Sequence, residues 1–403
     1  MKQDALTYKA NILMVLQSDF PPDIRLEKEI DALTQNGYQV YLLCNNKKNL
    51  PRFETINGNF HIIRLPRFRL GRKNLQSLFG VPLSFNPIWL FYIAKACRLH
   101  KIDFIHVHDL PLALGAIFVG KLFRLPAVFD MHENYPAALE VWGRKGFLPG
   151  LFRNPAFARK LEKMSLKLCE KIIVVIEEHK EMLTSIGINP QKIHIVGNTV
   201  QTDKYIQLKI DAEIVEKYQE NFVLTYVGNF SPERELEVAI QGVKILAPQI
   251  PNLKMILVGD GGIREELEKL IENLGISKFV EFTGWVDFEK TPSYIAAANI
   301  CIIPQPSNDL IDNGVPHKLF QYMALGKPVI VSDAKAMARI VRETKCGEIF
   351  RSHSPDDFAR AVLTIKNASK EYGKNGKQAV IKKYNWSLSA RELTNLYDNF
   401  KIK

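Results

Sequence analysis

The residues best suited to chemistry in this chain are cations that stand at strand ends. Lys318 lies in DNGVPHKLFQYMALGKPVIVSD, at the predicted start of a helix that follows the loop residues Asn313, Gly314 and Pro316. Helix starts gather unpaired N–H groups and the positive end of the dipole, so a lysine there marks a place for phosphate. Arg234, in YVGNFSPERE, follows a strand ending at Gly228 and is placed to meet an anion. Gly259, Gly261 and Gly262 in LVGDGG form a second strand-end turn, where Arg264 takes the last glycine position and breaks the dinucleotide fingerprint. In FTGW, Gly284 and Trp285 put an aromatic at a third strand end, able to flank a ligand or to pack. In the first half, His108 and Asp109 close HVHD, and His132 and Glu133 follow the strand of FDMHENYP. Histidines beside carboxylates can hydrogen-bond a substrate or ligate a metal; without compact ligand spacing, hydrogen bonding is expected and a metal is not. His106, inside its strand, reads as a core histidine.

These residues need rigid elements to hold them. Asn11–Gln17 is an apolar strand, Ile24–Gln35 a helix closed by Gly37, and Val40–Cys44 the next strand, which makes one βαβ unit. The alternation continues with strands at Phe104–Val107, Ala127–Asp130, Lys171–Ile176 and Ile193–Val196 and helices at Leu112–Phe123 and Ala158–Cys169. After the polar stretch Gln201–Gln219 a second series begins. Its strands are Val223–Val227, Lys254–Val258, Val280–Phe282, Ile300–Ile303 and Val329–Val331; helices lie near 235–246, 264–274 and 292–298, and the tail from Pro355 is helical. The fold class is therefore α/β, with two Rossmann-like doubly wound domains facing each other across a cleft. The expected boundaries are 1–198, 199–380, and a final helix at 381–403 crossing back to the first domain.

Composition narrows the partners. A length of 403 residues with 46% apolar and 24% charged residues fits two globular domains and excludes disordered or fibrous classes. No apolar run is long enough to span a bilayer, and the five scattered cysteines lack CxxC spacing, so a reducing cytoplasm is expected. The charge is uneven: residues 1–200 hold 27 Lys and Arg against 17 Asp and Glu, whereas the remainder hold 27 against 26. The basic half should meet something anionic. Arg64, Arg67, Arg69, Arg72 and Lys73 alternate with Leu65, Phe68 and Leu70 ahead of Leu78, Phe79 and Trp89, which makes residues 64–90 the expected contact with an anionic leaflet.

Taken together, the PP-x-x-R segment, HVHD, FDMHENYP, YVGNFSPERE, LVGDGG, FTGWV and VPHKLFQYMALGKPVIVSD resemble the family 4 glycosyltransferases of GT-B fold, over nearly the whole chain. The resemblance implies a retaining enzyme that moves a sugar from a nucleotide-diphosphate sugar, UDP favoured over GDP, to a hydroxyl in polysaccharide or glycolipid synthesis. It implies no metal, no nucleic acid, and a lipid-linked or oligosaccharide acceptor at the inner face of a membrane. His132 looks like the histidine at the donor sugar, Arg234 like one clamp of the diphosphate, and Lys318 like the basic residue of the P-x-K subgroup. Trp285 and Val286 match the base position and Gln321 the ribose position; Gly228, Asn229, Gly259, Gly284, Asn313 and Leu319 complete the donor set. Arg25, His108, Asp109 and Glu133 are the acceptor-side candidates.

Two departures matter. The Glu-x7-Glu pair of many members is Asn313 and Gln321 here, so the ribose meets a neutral acceptor unless Asp309 or Asp312 replaces the first acid. The usual Arg and Lys of the second domain are Asn229 and Arg234, which leaves Lys318 and backbone amides to meet the second diphosphate charge. A nucleotide-sugar 2-epimerase and a catalytically silent nucleotide-sugar-binding scaffold are the alternatives.

Overall fold

A computed structural model describes residues 8–66, 69–70, 73–74, 85–142, 154–368 and 371–400. The chain forms two compact units, Met1–Gly197 with Ser389–Lys403, and Asn198–Leu388.

In the first unit the strands are β1 (Asn11–Asp19), β2 (Gln39–Asn45), β3 (Phe53–Asn57), β4 (Phe60–Arg64), the two-residue pair β5 (Arg69–Leu70) and β6 (Lys73–Asn74), β7 (Phe104–His108), β8 (Ala127–Met131), β9 (Lys171–Val174) and β10 (Ile193–Ile195). The helices are α1 (Ile24–Gln35), α2 (Pro87–Leu99), α3 (Leu110–Phe123), α4 (Tyr135–Trp142), α5 (Pro155–Leu168) and α6 (Glu177–Ser185). Eight strands make one sheet in the order β10-β9-β8-β7-β1-β2-β4-β3, parallel except for β3 against β4. Winding outward in both directions from β1 is what a doubly wound sheet requires. Leu13, Val15, Ile105, Val107 and Phe129 share one core with α2, α3 and α5. Their alternates, His106, His108 and Asp130, point to the other face, because side chains in a strand alternate.

The second unit contains α7 (Thr202–Ile206), α8 (Ala212–Lys217), β11 (Phe222–Val227), α9 (Leu236–Leu246), β12 (Leu253–Val258), α10 (Arg264–Leu274), β13 (Val280–Gly284), α11 (Thr291–Ala297), β14 (Ile300–Ile303), α12 (His317–Ala324), β15 (Val329–Ser332), α13 (Lys335–Thr344), β16 (Gly347–Phe350), α14 (Pro355–Asn367) and α15 (Glu371–Lys382). Its six strands are all parallel in the order β13-β12-β11-β14-β15-β16. The last helix, α16 (Trp386–Asp398), starts in this unit and from Ser389 belongs to the first.

Several elements differ from the sequence expectation. The antiparallel pair β3–β4 and helix α2 lie where no regular element was expected, and α13 and β16 extend the second sheet beyond the expected last strand. Helices α3 and α5 begin earlier than apolar periodicity suggests. Each carries a proline in its first turn, where the missing N–H costs nothing, and Asn154 caps α5 by accepting from Ala156 N at 3.0 Å. Helix α12 does end at the expected glycine: Gly326 has φ 66° and donates its N–H to Met323 O at 3.0 Å.

The expected membrane segment, 64–90, is corrected at both of its ends. Arg64 is buried, donating to Pro51 O at 2.8 Å and pairing with Glu54 at 2.8 Å, while Leu65 and Trp89 are core residues of the first unit. The middle of the segment, 67–68, 71–72 and 75–84, lies outside the described residues, as do the side chains of β5 and β6. Among the described residues no helix is long and apolar enough to cross a membrane.

Candidate active site

In the second unit, glycines bring the ends of three neighbouring strands into backbone contact. Gly228, after β11, donates to Val258 O at 2.8 Å; Gly259, after β12, donates to Gly284 O at 3.1 Å; Phe230 donates to Asp260 O at 2.9 Å. A Cβ on Gly259 would stand 2.1 Å from Gly228 O, and one on Gly261 the same distance from Phe230 O. Only glycine permits so close an approach, and Gly228 and Gly259 also hold φ of 140° and 133°. The LVGDGG segment is thus a close-packed turn; Asp260 within it pairs with Arg264 at 2.9 Å.

Lys318 reaches over this platform. Its Nζ lies 3.8 Å from the centroid of the Tyr226 ring, and a Cβ on Gly228 would come within 2.5 Å of it. Burial, reinforced by the nearby Arg234 cation, holds the Lys318 ammonium well below its ordinary pKa. Arg234 ends a single turn, Pro232–Arg234, and its buried Nε has no hydrogen-bond partner. Among the described residues no carboxylate forms an ion pair with Lys318 or Arg234. Two cations held together without a counter-charge are electrostatically costly, and an anion accepting from both would relieve the cost.

The loop before α12 is built from its own side chains. Asn308 Oδ1 accepts from Leu310 N and Ile311 N, both at 3.0 Å, and Asn313 Nδ2 donates to Asp309 O at 2.8 Å. Asp312 accepts from Ser307 Oγ at 3.0 Å and from Lys335 N at 2.9 Å, so it is committed to the loop and does not replace the missing first acid. Leu319, expected in the donor set, is instead a core residue whose N–H bonds Pro316 O at 3.1 Å. Gln321 is half-buried one turn after Lys318. Asn229 is exposed, and its carbonyl accepts from Tyr226 Oη at 2.9 Å. Gly284 turns with φ 71° into Trp285, whose indole is 72% exposed, and the half-buried Val286.

In the first unit, β7, β8 and α1 place a buried ionic cluster on the face opposite the apolar core. Asp130 is fully buried; Arg25 Nη2 meets its two oxygens at 3.1 and 3.2 Å, meets Glu29 at 2.9 Å, and Arg25 Nη1 donates to Val196 O at 3.0 Å. His132, 20% exposed at its side chain, sets Nδ1 3.4 Å from Asp109 and Nε2 3.4 Å from Asp130. Burial opposes a charge on this imidazole, but Asp109 and then Asp130 outweigh it and push its pKa up to about 10. Although burial opposes it too, the Asp130 carboxylate is held well below the ordinary range by Arg25 and His132. Burial drives His106 down and His108 down to about 3, so both are neutral. Tyr397 Oη lies 2.9 Å from His106 Nδ1; as burial keeps the phenol protonated, it donates and leaves the proton of His106 on Nε2, which stands 3.5 Å from Asp130 without a hydrogen bond. Burial raises the Glu29 pKa strongly, and with that carboxyl protonated the charges of Arg25, His132, Asp109 and Asp130 cancel.

This arrangement corrects two acceptor-side expectations. Arg25 is 5% exposed and bound to two carboxyl groups, and His108 is buried beneath His132, so both support the site from within and neither is an accessible contact. Asp109 remains one-third exposed at the start of α3, and Glu133 is half-buried beside His132. Glu29, His106, His108 and Asp130 also bring four donor atoms within 4.8 Å of one another. That donor set suits a cation, and the Arg25 guanidinium supplies one from 2.9 and 3.1 Å.

Comparison with known proteins places the chain in a family. A family model of group 1 glycosyl transferases matches residues 207–383, and a model of glycosyltransferase family 4 matches residues 26–204. The chain is a glycosyltransferase of GT-B type. It is similar to an uncharacterized glycosyltransferase of Methanocaldococcus jannaschii, 24% identical over 395 residues, which are 93% of this chain and 94% of the relative. It is similar as well to the alpha-monoglucosyldiacylglycerol synthase of Acholeplasma laidlawii, 20% identical over 386 residues, 93% of this chain and 91% of that one. The structure of the Anabaena protein HepE in complex with UDP superposes with a TM-score of 0.70 at 16% identity, covering 97% of this chain and 100% of that one.

Sequence reasoning about this glycosyltransferase missed Glu29, Asp130 and Tyr397. A carboxylate at the end of the otherwise apolar strand AVFDM, and Arg25 four residues before Glu29 on one helix, were the available signals for the first two. Tyr397 is 291 residues from His106, and no local pattern points to it.

Proposed function

We propose that this glycosyltransferase moves a sugar from a UDP-sugar to an acceptor hydroxyl, with retention of configuration and without a metal ion. The observation that carries the reading is the pair Lys318 and Arg234, two cations that among the described residues have no carboxylate partner, beside glycine-lined strand ends. A diphosphate supplies the missing charge at both. HepE was solved with UDP, which favours that nucleotide. The name of the Acholeplasma relative points to a lipid acceptor, so a glycolipid or a lipid-linked saccharide is the acceptor class we favour.

In this reading the acceptor oxygen bonds to the anomeric carbon as the bond from that carbon to the diphosphate oxygen breaks on the same face. The acceptor proton passes to the departing phosphate. Lys318, Arg234 and the amides at the start of α12 stabilise the charge that grows on the diphosphate. Gln321 takes the ribose with a neutral hydrogen bond, and Trp285 and Val286 flank the base. His132, held as an imidazolium, can donate a hydrogen bond to the sugar but cannot act as a base at neutral pH.

The test is turnover of a nucleotide-sugar panel with and without lipid acceptors. Slow release of the free sugar with retained anomeric configuration supports the transferase. Epimer formation would instead reveal a 2-epimerase, and tight binding of UDP without any turnover a silent scaffold.

A further inference from the structure

The surface with the strongest unexplained character is the outer side of α2, α3 and α5 in the first unit. Helix α3 packs against α2 on one side and α5 on the other, so the three form a continuous layer over the sheet. A layer of this kind normally turns polar residues outward. Here each helix turns out both large apolar and basic side chains. On α2 these are Phe91, 61% exposed, with Lys95 and Arg98; on α3 they are Phe118 and Leu122, the latter 66% exposed, with Lys121. On α5, Phe157, Met164 and Leu168 recur at helical spacing along one outward stripe, flanked by exposed Lys160, Lys163 and Lys167.

Acidic side chains are nearly missing from this layer. The only one within the three helices is Glu162, which is 7% exposed and directed inward. Two acids at the margins, Glu170 and Glu140, are taken by Lys121 and Arg159. Among the described residues Lys95, Arg98, Lys160, Lys163 and Lys167 therefore form no ion pair and stand beside exposed Phe, Leu and Met side chains.

We infer that the outer face of α2, α3 and α5 docks on an anionic lipid surface. Exposed apolar side chains enter the boundary between headgroups and acyl chains while the cations around them meet lipid phosphates, and neither term alone explains the pattern. A nucleic acid would leave the apolar stripe unused. A second copy of this chain would set one basic face against another. The segment expected to touch the membrane from sequence, 64–90, contributes buried residues at both described ends, and this layer lies next to it through α2. The inference does not depend on the identity of the donor sugar.

Co-sedimentation of the full chain with vesicles of phosphatidylcholine alone, and of phosphatidylcholine with phosphatidylglycerol, tests it. The wild type is expected to bind the anionic vesicles and to lose that binding as salt rises. A triple variant Phe118→Glu, Leu122→Glu, Met164→Glu should weaken binding at least tenfold. The triple variant Lys160→Glu, Lys163→Glu, Lys167→Glu should weaken it further, by at least about fivefold for each lysine lost. All substituted side chains are exposed, so an unchanged melting temperature verifies the fold, and Ile381→Glu, at an exposed position of the second unit, serves as a control that should bind like wild type. Equal binding of wild type and both triple variants, or no wild-type binding to the anionic vesicles, overturns the inference. So does a concentration-dependent dimer that the apolar variant dissolves while vesicle binding is kept.

Discussion

The two charged centres of this protein are opposites. In the first unit the charges of Arg25, His132, Asp109 and Asp130 offset one another through contacts of 3.1 to 3.4 Å. In the second unit Lys318 feels the charge of Arg234, and among the described residues no carboxylate pairs with either. Binding energy is held ready at the second of them. A balanced buried cluster stabilises and orients its members, above all the ring of His132. An unbalanced one costs stability until a ligand supplies the missing charge, which concentrates affinity at that point.

The comparison is broken most severely by removing one member of the balanced cluster. Asp130→Ala or Arg25→Leu leaves a buried charge without its partner, and chemical denaturation should show a loss of about 3 to 5 kcal/mol. The same experiment on Lys318→Met should show no loss, or a gain, since this lysine is held below its ordinary pKa and opposes folding in the absence of a ligand. A large destabilisation by Lys318→Met would show that the second centre is structural after all.

Catalysis separates the centres next. Under the proposed function, His132→Ala should lower turnover by about 100-fold to 1,000-fold with UDP affinity nearly unchanged, because one preorganised donor is removed from the reaction and none from the diphosphate. Arg234→Ala should do the converse and weaken UDP by about 10-fold to 100-fold, the range for a hydrogen bond to a charged group. Isothermal titration and initial rates read both. If the two variants have the same profile, the division of labour fails.

The pH dependence gives a smaller contrast. His132 is held up to about 10 in the folded protein against an ordinary value near 6.5. Its stabilising contribution is therefore complete below about pH 6.5 and is lost as pH rises toward 10, which denaturation midpoints across that range can follow. Lys318 has the reverse sign: its depressed pKa should recover when a diphosphate binds. UDP binding should then draw in protons, seen as a dependence of the binding enthalpy on the buffer, and Lys318→Met should abolish that dependence. The smallest expected effect is that of a chelator. Arg25 already supplies a cation to the buried donor set, and under the proposed function Lys318 and Arg234 meet the diphosphate, so EDTA should leave the rate within about twofold, well inside one hydrogen bond's worth of energy.

Much of the fold was legible because it is written locally. Apolar runs of four to six residues bounded by glycine and proline gave the parallel strands, and the position of Gly326 gave the end of α12. Less was legible where the signal is weak or shared. The pair β3–β4 holds no continuous apolar run, with Phe53 and Ile56 of β3 exposed, and α2 adjoins a basic, aromatic-rich stretch whose pattern suits a helix core and a membrane contact equally. Trp89 shows the ambiguity: its indole is buried, while Phe91, two residues on, is exposed.

The sequence by itself determined the alternation of strands and helices, the cations at Arg234 and Lys318, and the glycines at the strand ends, because each depends on residues within a turn or two of one another. The tertiary structure alone decided which charges are balanced. Arg25, Asp130, His132 and Tyr397 come from one helix, one strand, one loop and the last helix, and only folding brings them to one point. It also committed Asp312 to its own loop, and by closing α3 over the sheet it left Phe118 and Leu122 outside the core that absorbs most of that helix. Whether a polar group is paired, and whether an apolar one is covered, depends on neighbours that chain order does not specify.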